Sequence, residues 1–296
     1  MAVVIVNWNG LADTLEVLDE LDKLEGPKLH RVVVDNGSTD DSAAVLRRRE
    51  DVHLVETGEN LGFAGGNVAG IRWAAQHLAF DWVLLLNNDV ALDPNLLPPL
   101  LAACRDPAVG AAGPKIYYHE QPDVIWAAGG RLRLRETVTG ELGKGRRDDP
   151  RFDEARDVSY LTTCCILIPR DALERVGLLD PLFFIGVEDA DWCRRALDAG
   201  YRIRYEPASR LWHKVAVSTG GGYTPFKTFH TGRSNTLYVR RHHGVAGLAV
   251  YLLWVGLAFL AALVRELPRG NAKAVLAKLR GVGAGLRAPI PEPPRL

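Results

Sequence analysis

Three short apolar runs, each ending abruptly in polar side chains, limit the architecture of this chain more than any other feature. Val3–Val6 leads into Asn7-Trp8-Asn9-Gly10, Val32–Val34 into Asp35-Asn36-Gly37-Ser38-Thr39-Asp40, and Val83–Leu86 into Asn87-Asn88-Asp89. Unbroken apolar runs mark strands buried on both faces, whereas half-exposed strands alternate. Helix-like stretches lie between them: LADTLEVLDELDKL from Leu11, a helix around Asp41 to Glu50, and apolar positions at Val68, Ile71, Ala74, Ala75 and Leu78. DVHLVE adds a third strand before the last of these. Such alternation with short connections implies a mostly parallel sheet with helices on both faces, an α/β fold. In that sheet the three polar ends share one edge, where ligands of open α/β sheets bind.

The rest of the chain is read more coarsely. A helix is expected from about Asn95 to Cys104, strands and a hairpin over VGAAGPKIYY and VIWAAGGRLRLRETVTG, and a strand ending at Pro169 with a short helix closed by Gly177. A helix from about Glu188 to Ala199 stops at Gly200 and a further strand follows. The charged stretch Gly143–Asp157 is expected as a mobile surface loop. Net charge is zero, with 36 basic and 36 acidic residues, so nothing in the total points to nucleic acid. Cys104, Cys164, Cys165 and Cys193 show no zinc spacing and read as reduced core residues of a cytosolic protein. AVVIVNWNG already reads as strand and turn from Ala2, so no signal peptide is expected.

Several residues have chemistry to offer, each with a plainer alternative. Asp35 after three valines is costly to bury without a partner. It can hold a nucleobase N–H or a ribose hydroxyl, or close an Asx turn through DNGSTD. Asp40 is expected to cap the next helix. Glycines 62, 65, 66 and 70 in ENLGFAGGNVAGI allow close backbone approach, and a helix opening near Asn67 would aim N–H groups at a diphosphate. The spacing is neither GxGxxG nor a Walker A loop. Asp89 is a ligand type for a hard divalent cation, and His213 can add a contact or be a satisfied structural histidine. Glu188, Asp189 and Asp191 begin a helix, where acids stabilise the N-terminus through the macrodipole. Following the apolar Phe183-Phe184-Ile185, one of them can equally act as a general base.

The end of the chain differs in kind. Gly244–Val264 is uncharged and about as long as the roughly 20-residue span of a transmembrane helix. Arg240, Arg241, His242 and His243 precede it, and Arg265, Arg269, Lys273, Lys278 and Arg280 follow. The alternatives are a buried amphipathic helix pair or a segment entering or lying on a membrane, and the flanking cations favour the membrane. With cations on both sides, an interfacial or hairpin placement fits as well as one clean span. The domain division expected is 1–241 for the α/β domain and 242–296 for a membrane-associating helical segment with a proline-rich tail.

Taken in order, VVIVNWNG, VVDNGSTDDS, ENLGFAGGN, LLLNNDVALDP, GLLDPLFFIGVEDADWCRRALDAGYRI and LWHK resemble a family-2 glycosyltransferase of GT-A fold, of the rhamnosyltransferase-like kind. The resemblance spans Ala2 to Arg241. It implies inverting transfer of a sugar, with rhamnose from a dTDP donor ahead of a UDP-linked one, to a carbohydrate or lipid-linked saccharide at the cytoplasmic face of the inner membrane. Asp35 would hold the base, with Asn7, Asn9, Asn36, the loop from Asn60 through Gly62, Gly65 and Gly66 to Asn67, and Asn88 around it. Arg233 would meet a phosphate. Asp89 and His213 would hold Mg2+ or Mn2+, and Asp189 would be the base, with Asp191 in reserve and Glu188 orienting. Arg194 and Arg195 read as surface residues. The family's metal motif is often Asp-x-Asp; here its first position is Asn87, which brings a carbonyl but no charge. The other reading is a catalytically silent, membrane-associated sugar-nucleotide-binding or scaffold protein. The intact Glu-Asp pair and strand-end carboxylates count against it. A nucleotidyltransferase would want a glycine-rich basic loop after the first strand, where Gly10 is followed by Leu-Ala-Asp.

Overall fold

A computed structural model of the chain describes residues 1–215 and 224–296. The first third is a regular alternation: β1 (Ala2–Asn7), α1 (Leu11–Leu21), β2 (His30–Asp35), α2 (Ser42–Leu46), β3 (Val52–Glu56), α3 (Gly62–His77) and β4 (Trp82–Leu86). β1 pairs in parallel with β2 and with β4, and β2 with β3. The valine-rich strands alternate between two cores. Val4, Val32, Val34 and Leu85 face α3, while Val3, Ile5, Val33 and Leu84 face α1 and the next helix. Both faces are therefore buried, which is why the sequence shows runs.

The second half makes the sheet mixed. β5 (Val90–Leu92), α4 (Leu97–Ala103), β6 (Val109–Tyr118), β7 (Gln121–Ala127), β8 (Gly130–Leu132), β9 (Thr139–Glu141), β10 (Arg156–Val158), β11 (Cys165–Pro169), α5 (Arg170–Val176), α6 (Glu188–Asp198) and β12 (Arg202–His213) follow. The sheet runs β10-β12-β6-β11-β4-β1-β2-β3, with β5 on β12 and β7 on β6. β11 enters antiparallel between β4 and β6, while β12 is parallel to β6. The charged stretch Gly143–Asp157, expected as a mobile loop, is tied down instead. The fully buried Lys115 ammonium bonds Asp148 and Asp153 at 2.9 and 2.6 Å, and Tyr205 donates to the Phe152 carbonyl at 2.8 Å.

Three helices close the chain: α7 (Pro225–His242), α8 (Gly244–Glu266) and α9 (Ala272–Arg287). α9 lies parallel to α7 at short range, because glycines remove side chains from the contact. A Cβ on Gly281 would meet the Phe229 carbonyl at 2.0 Å, and one on Gly232 the Lys278 carbonyl at 2.3 Å. The proline-rich end folds back onto the α/β domain, where Leu178 N–H donates to the Pro294 carbonyl at 2.9 Å.

Candidate active site

The strand ends are bound together by one chain of hydrogen bonds. Asn88 Nδ2 donates to Thr14 Oγ1 (3.0 Å), Thr14 to Asn7 Oδ1 (2.9 Å), and Asn7 Nδ2 to Asp35 Oδ1 (3.1 Å). The ends of β4, β1 and β2 are thus fixed through α1, whose Thr14 nothing in the sequence singled out. All four residues are buried. Asn7 also donates to Ser38 Oγ, and Ser38 N–H donates to Asp35 Oδ2 at 3.2 Å, so the Asx turn is present. Asp35 spends one bond on each oxygen and keeps acceptor capacity on both. Asn9, in the left-handed region at φ 52°, accepts from the Thr39 and Asp40 N–H groups. Asp40 in turn accepts from Ser42 N–H at 3.0 Å, the first residue of α2.

The glycine loop works differently from expectation. α3 opens at Gly62, not near Asn67, and Asn67 is buried with its amide bonded to the Phe63 carbonyl inside the helix. A Cβ on Gly66 would lie 2.8 Å from Val6 Cγ1, and one on Gly70 2.6 Å from Val4 Cγ1. These two glycines, one helical turn apart, let α3 lie flush on β1. A Cβ on Gly65 would meet Leu61 of its own helix start at 2.7 Å. Asn36 ties the loop to β2, donating to Asn60 Oδ1 and the Gly62 carbonyl and accepting from Leu61 N–H. Gly62 (φ 75°) abuts the Phe184 carbonyl, which accepts from Phe63 N–H at 2.8 Å. The start of α3 therefore touches the loop leading into α6.

At the end of β4, Asp89 Oδ1 lies 3.2 Å from His213 Nε2 and 3.3 Å from Asn87 Nδ2. His213 arrives because β12 pairs with β5 at Val90, and its ring packs edge-on to Trp126 at 4.6 Å. Burial alone would raise the Asp89 carboxyl, but His213 and Asn87 hold it below its ordinary value. Two buried polar atoms here have no partner among the described residues: Asn87 Oδ1 and His213 Nδ1. A free carbonyl oxygen beside a carboxylate is the donor set a hard divalent cation takes, so these residues suit such an ion. Among the described residues no group of three or more His, Cys, Asp and Glu side chains could hold a metal, so substrate oxygens would have to complete the coordination.

A few residues away lies the second carboxylate. Tyr160–Cys165 spans the gap: Tyr160 Oη donates to Asp189 Oδ2 at 2.8 Å, Thr163 N–H also bonds Asp189, and the Cys164 carbonyl accepts from Asn87 N–H at 2.9 Å. Burial pushes Asp189 up to about 6, against the pull of those hydrogen bonds and with help from the Glu141 charge. Glu188 is buried, its Oε2 has no partner among the described residues, and burial together with the Asp189 charge drives it well above the carboxylate range. The entry to α6 is strained. Val187, a β-branched residue, sits at φ 79° directly after Gly186 at φ 77°. Such a conformation costs on the order of 1–3 kcal/mol and aims the first turn of the helix where it lies.

Two expectations are corrected. Asp191 carries no free oxygen: its carboxylate takes Arg195 Nε (2.9 Å), Arg241 (2.9 Å) and His242 Nε2 (2.8 Å), with no exposed surface. Burial would raise it, yet those partners pull it down to about 2, so it is a structural anion and no reserve base. Arg195 is correspondingly no surface residue, since it also donates to the Val176 and Leu178 carbonyls. Arg233 donates to the Leu182 carbonyl at 2.7 Å, bracing the loop before α6. Sequence reasoning also missed Tyr160, which sits at the start of an apolar run with no local signal of its partner 29 residues on.

A parallel sheet edge with a charge-binding corner, joined to a second carboxylate of raised proton affinity at a strained helix entry, suits a transferase that handles a phosphorylated donor. The sequence profile described as "Glycosyltransferase like family 2" matches residues 1–243, and the chain belongs to that family and is a glycosyltransferase. It is 30% identical over 236 residues to an N-acetylglucosaminyl-diphospho-decaprenol L-rhamnosyltransferase of Mycobacterium tuberculosis, covering 72% of this chain and 75% of that protein. It is 24% identical over 253 residues to the dTDP-rhamnosyl transferase RfbF of Shigella flexneri, covering 81% and 80%. Among solved structures, a mannosyltransferase of Pyrobaculum calidifontis in complex with GDP-Man and Mn2+ superposes with a TM-score of 0.58 at 17% identity, over 97% of this chain and 86% of that one. That likeness, and a similar one to Staphylococcus aureus TarS (TM-score 0.58, 15% identity, 97% and 80% covered), shows a shared GT-A fold.

Proposed function

We propose that the enzyme transfers rhamnose, with inversion, from a dTDP-linked donor to a hydroxyl of a lipid-linked saccharide at the cytoplasmic face of a membrane. The observation that carries this is the pairing, on either side of Tyr160–Cys165, of the Asp89–His213 corner with a carboxylate raised to about 6. Residues 1–241 make up the catalytic domain, and 242–296 an appendage to it. The rhamnose and lipid-linked acceptor are supported by the names of the two relatives.

In this reading Asp35 accepts from the base or ribose with the acceptor capacity that its turn leaves free. Asn7, Asn9, Asn36, Asn60 and Asn88 are the braces that hold the nucleotide edge in shape. Asp89 and His213, with the Asn87 carbonyl beside them, would hold Mg2+ or Mn2+, which would supply charge neutralisation for a diphosphate. Asp189 Oδ takes the proton of the acceptor hydroxyl. The acceptor oxygen forms the new bond to the anomeric carbon, and the electron pair of the old carbon–oxygen bond leaves with the nucleoside diphosphate. A base near 6 is ionised at neutral pH yet basic enough to accept that proton. Glu188, held protonated, offers a hydrogen-bond donor beside it.

The test is a panel of nucleotide sugars screened by thermal shift with and without Mn2+, alongside Asp189→Asn. Stabilisation by a dTDP sugar, with turnover lost and donor binding kept in the variant, is expected. Full activity in Asp189→Asn removes the base assignment, and no stabilisation by any donor removes the reading.

A further inference from the structure

α8 is the one helix among the described residues long and apolar enough to cross a membrane, at 23 residues and mean hydropathy 2.4. Its packing shows two unlike faces. Leu248, Tyr251 and Val255 face the protein, at the spacing of one helical stripe. Tyr251 is fully buried against Thr236 of α7, the Trp254 ring takes Arg135 at 4.8 Å, and Glu266 bonds Asn271 ahead of α9. From Leu248 to Val255 is about 10 Å at 1.5 Å per residue, so the first half of the helix is docked on the protein, and no residue from Gly256 to Arg265 is buried. The opposite stripe is open: Val250, Leu253, Leu257, Leu260 and Val264 are 45–80% exposed.

We infer that α8 lies flat in the cytoplasmic leaflet, its outer stripe among the acyl chains, and does not cross the bilayer. This rests on the membrane reading above and settles the placement that reading leaves open. To cross, all 23 residues would have to enter the bilayer, and the docked first half would draw the closely packed α7 and α9 into hydrocarbon with it, with Arg233, Arg240, Lys278 and Arg280 on them. Each such charge near the bilayer centre costs at least about 2.5 kcal/mol. A flat helix keeps those cations out of the hydrocarbon. Between Gly244 and Arg287 six cations (Arg265, Arg269, Lys273, Lys278, Arg280, Arg287) stand against one acid, Glu266, which is itself paired, so the surface suits anionic lipid. Because α9 runs parallel to α7, the C-terminal end of α8 lies near the start of α7. There the exposed Phe226 packs on Phe184 and His230 at the loop before α6. A flat α8 therefore brings the acceptor side of the site to the membrane surface.

Depth measurement tests this. The four native cysteines are all buried, so single thiols placed by Leu253→Cys, Leu257→Cys, Leu260→Cys and Val264→Cys in the full chain can be labelled selectively with an environment-sensitive fluorophore. Labelled protein is bound to phosphatidylglycerol/phosphatidylethanolamine vesicles carrying lipids brominated at defined carbons. All four probes are expected at one shallow depth, about 5–10 Å into the interface. Leu253 and Val264 are about 16 Å apart along the axis, so depths graded over most of that distance would mean a span and overturn the inference alone. No quenching at any site would remove the membrane reading itself. If the sedimentation mass then doubled, the stripe would be the contact between two copies.

Discussion

Tyr160→Phe isolates the tuning of the base from its position. The hydroxyl donates to Asp189 Oδ2 at 2.8 Å and favours the carboxylate, while burial disfavours it. Phe fills the same space and removes only the donor, so the Asp189 proton is held more tightly. A hydrogen bond to a charged acceptor contributes about 1.5–3 kcal/mol, and 1.36 kcal/mol is one pK unit, so the acid limb should climb by about 1–2 units. Starting near 6, it would reach roughly 7–8. The assay is nucleoside diphosphate release at subsaturating acceptor, measured as kcat/KM from pH 5 to 9.5. At pH 6 the wild type is half ionised and the variant roughly 1–10% ionised, a loss of roughly 5- to 50-fold that should vanish by pH 9. An acid limb that does not move, or a loss equal at every pH, refutes the tuning argument.

Further outcomes follow from the same contacts. Asp189→Asn should abolish turnover yet stabilise the fold at pH 8 by roughly 1–3 kcal/mol. The native carboxyl is raised from 3.8 to about 6, so its ionisation removes stability as pH rises through that window, and Asn escapes it; a lower Tm in calorimetry would contradict this. Asp191→Ala strands Arg195, Arg241 and His242, and should cost roughly 3–5 kcal/mol in denaturant titration; acting as a base would instead leave stability intact and remove activity. Gly70→Ala forces a Cβ to 2.6 Å from Val4 and 2.8 Å from Val34, and should destabilise by roughly 1–3 kcal/mol with donor KM unchanged.

How far the fold could be read follows from the strands' surroundings. β1, β2 and β4 are buried on both faces, so each left an apolar run ending where the sheet ends, and Asn7, Asp35 and Asp89 were found at that edge. β11 left an identical run in CILIP, because burial on two faces reads alike whether the neighbours run parallel or antiparallel. Composition cannot record a partner's direction, so which strands run antiparallel was not legible. Glycines were ambiguous for a related reason. Gly66 and Gly70 sit one turn apart, a spacing that serves helix–sheet packing as readily as phosphate approach, and only the facing valines distinguish the two. The acids opening α6 looked equivalent in sequence. Asp189 and Asp191 are separated by what reaches them from elsewhere: Tyr160 from the strand side and Arg241 and His242 from α7. Partners 29 and 50 residues distant leave no local trace.

In the proposed reading, Asn87 bears on when a metal would arrive. With aspartate there, two carboxylates would sit around His213 in a buried corner, each raising the cost of ionising the other until a cation came. Asparagine keeps the oxygen and removes that charge. The corner is satisfied by the Asp89–His213 contact and held by the Asn87 amide, and among the described residues nothing partners the Asn87 carbonyl oxygen. One carboxylate and one carbonyl make a weak cage for a doubly charged ion, and a diphosphate brings the missing charge and oxygens. Metal and donor should therefore bind as a pair. Calorimetric titration with Mn2+ should show weak binding to the protein alone and at least tenfold tighter binding with a nucleoside diphosphate present. By reciprocity the diphosphate gains the same factor from the metal. Asn87→Asp should tighten Mn2+ in the absence of nucleotide and shrink that factor. Equal metal affinity with and without nucleotide in the wild type would mean that Asn87 does not set the order of binding.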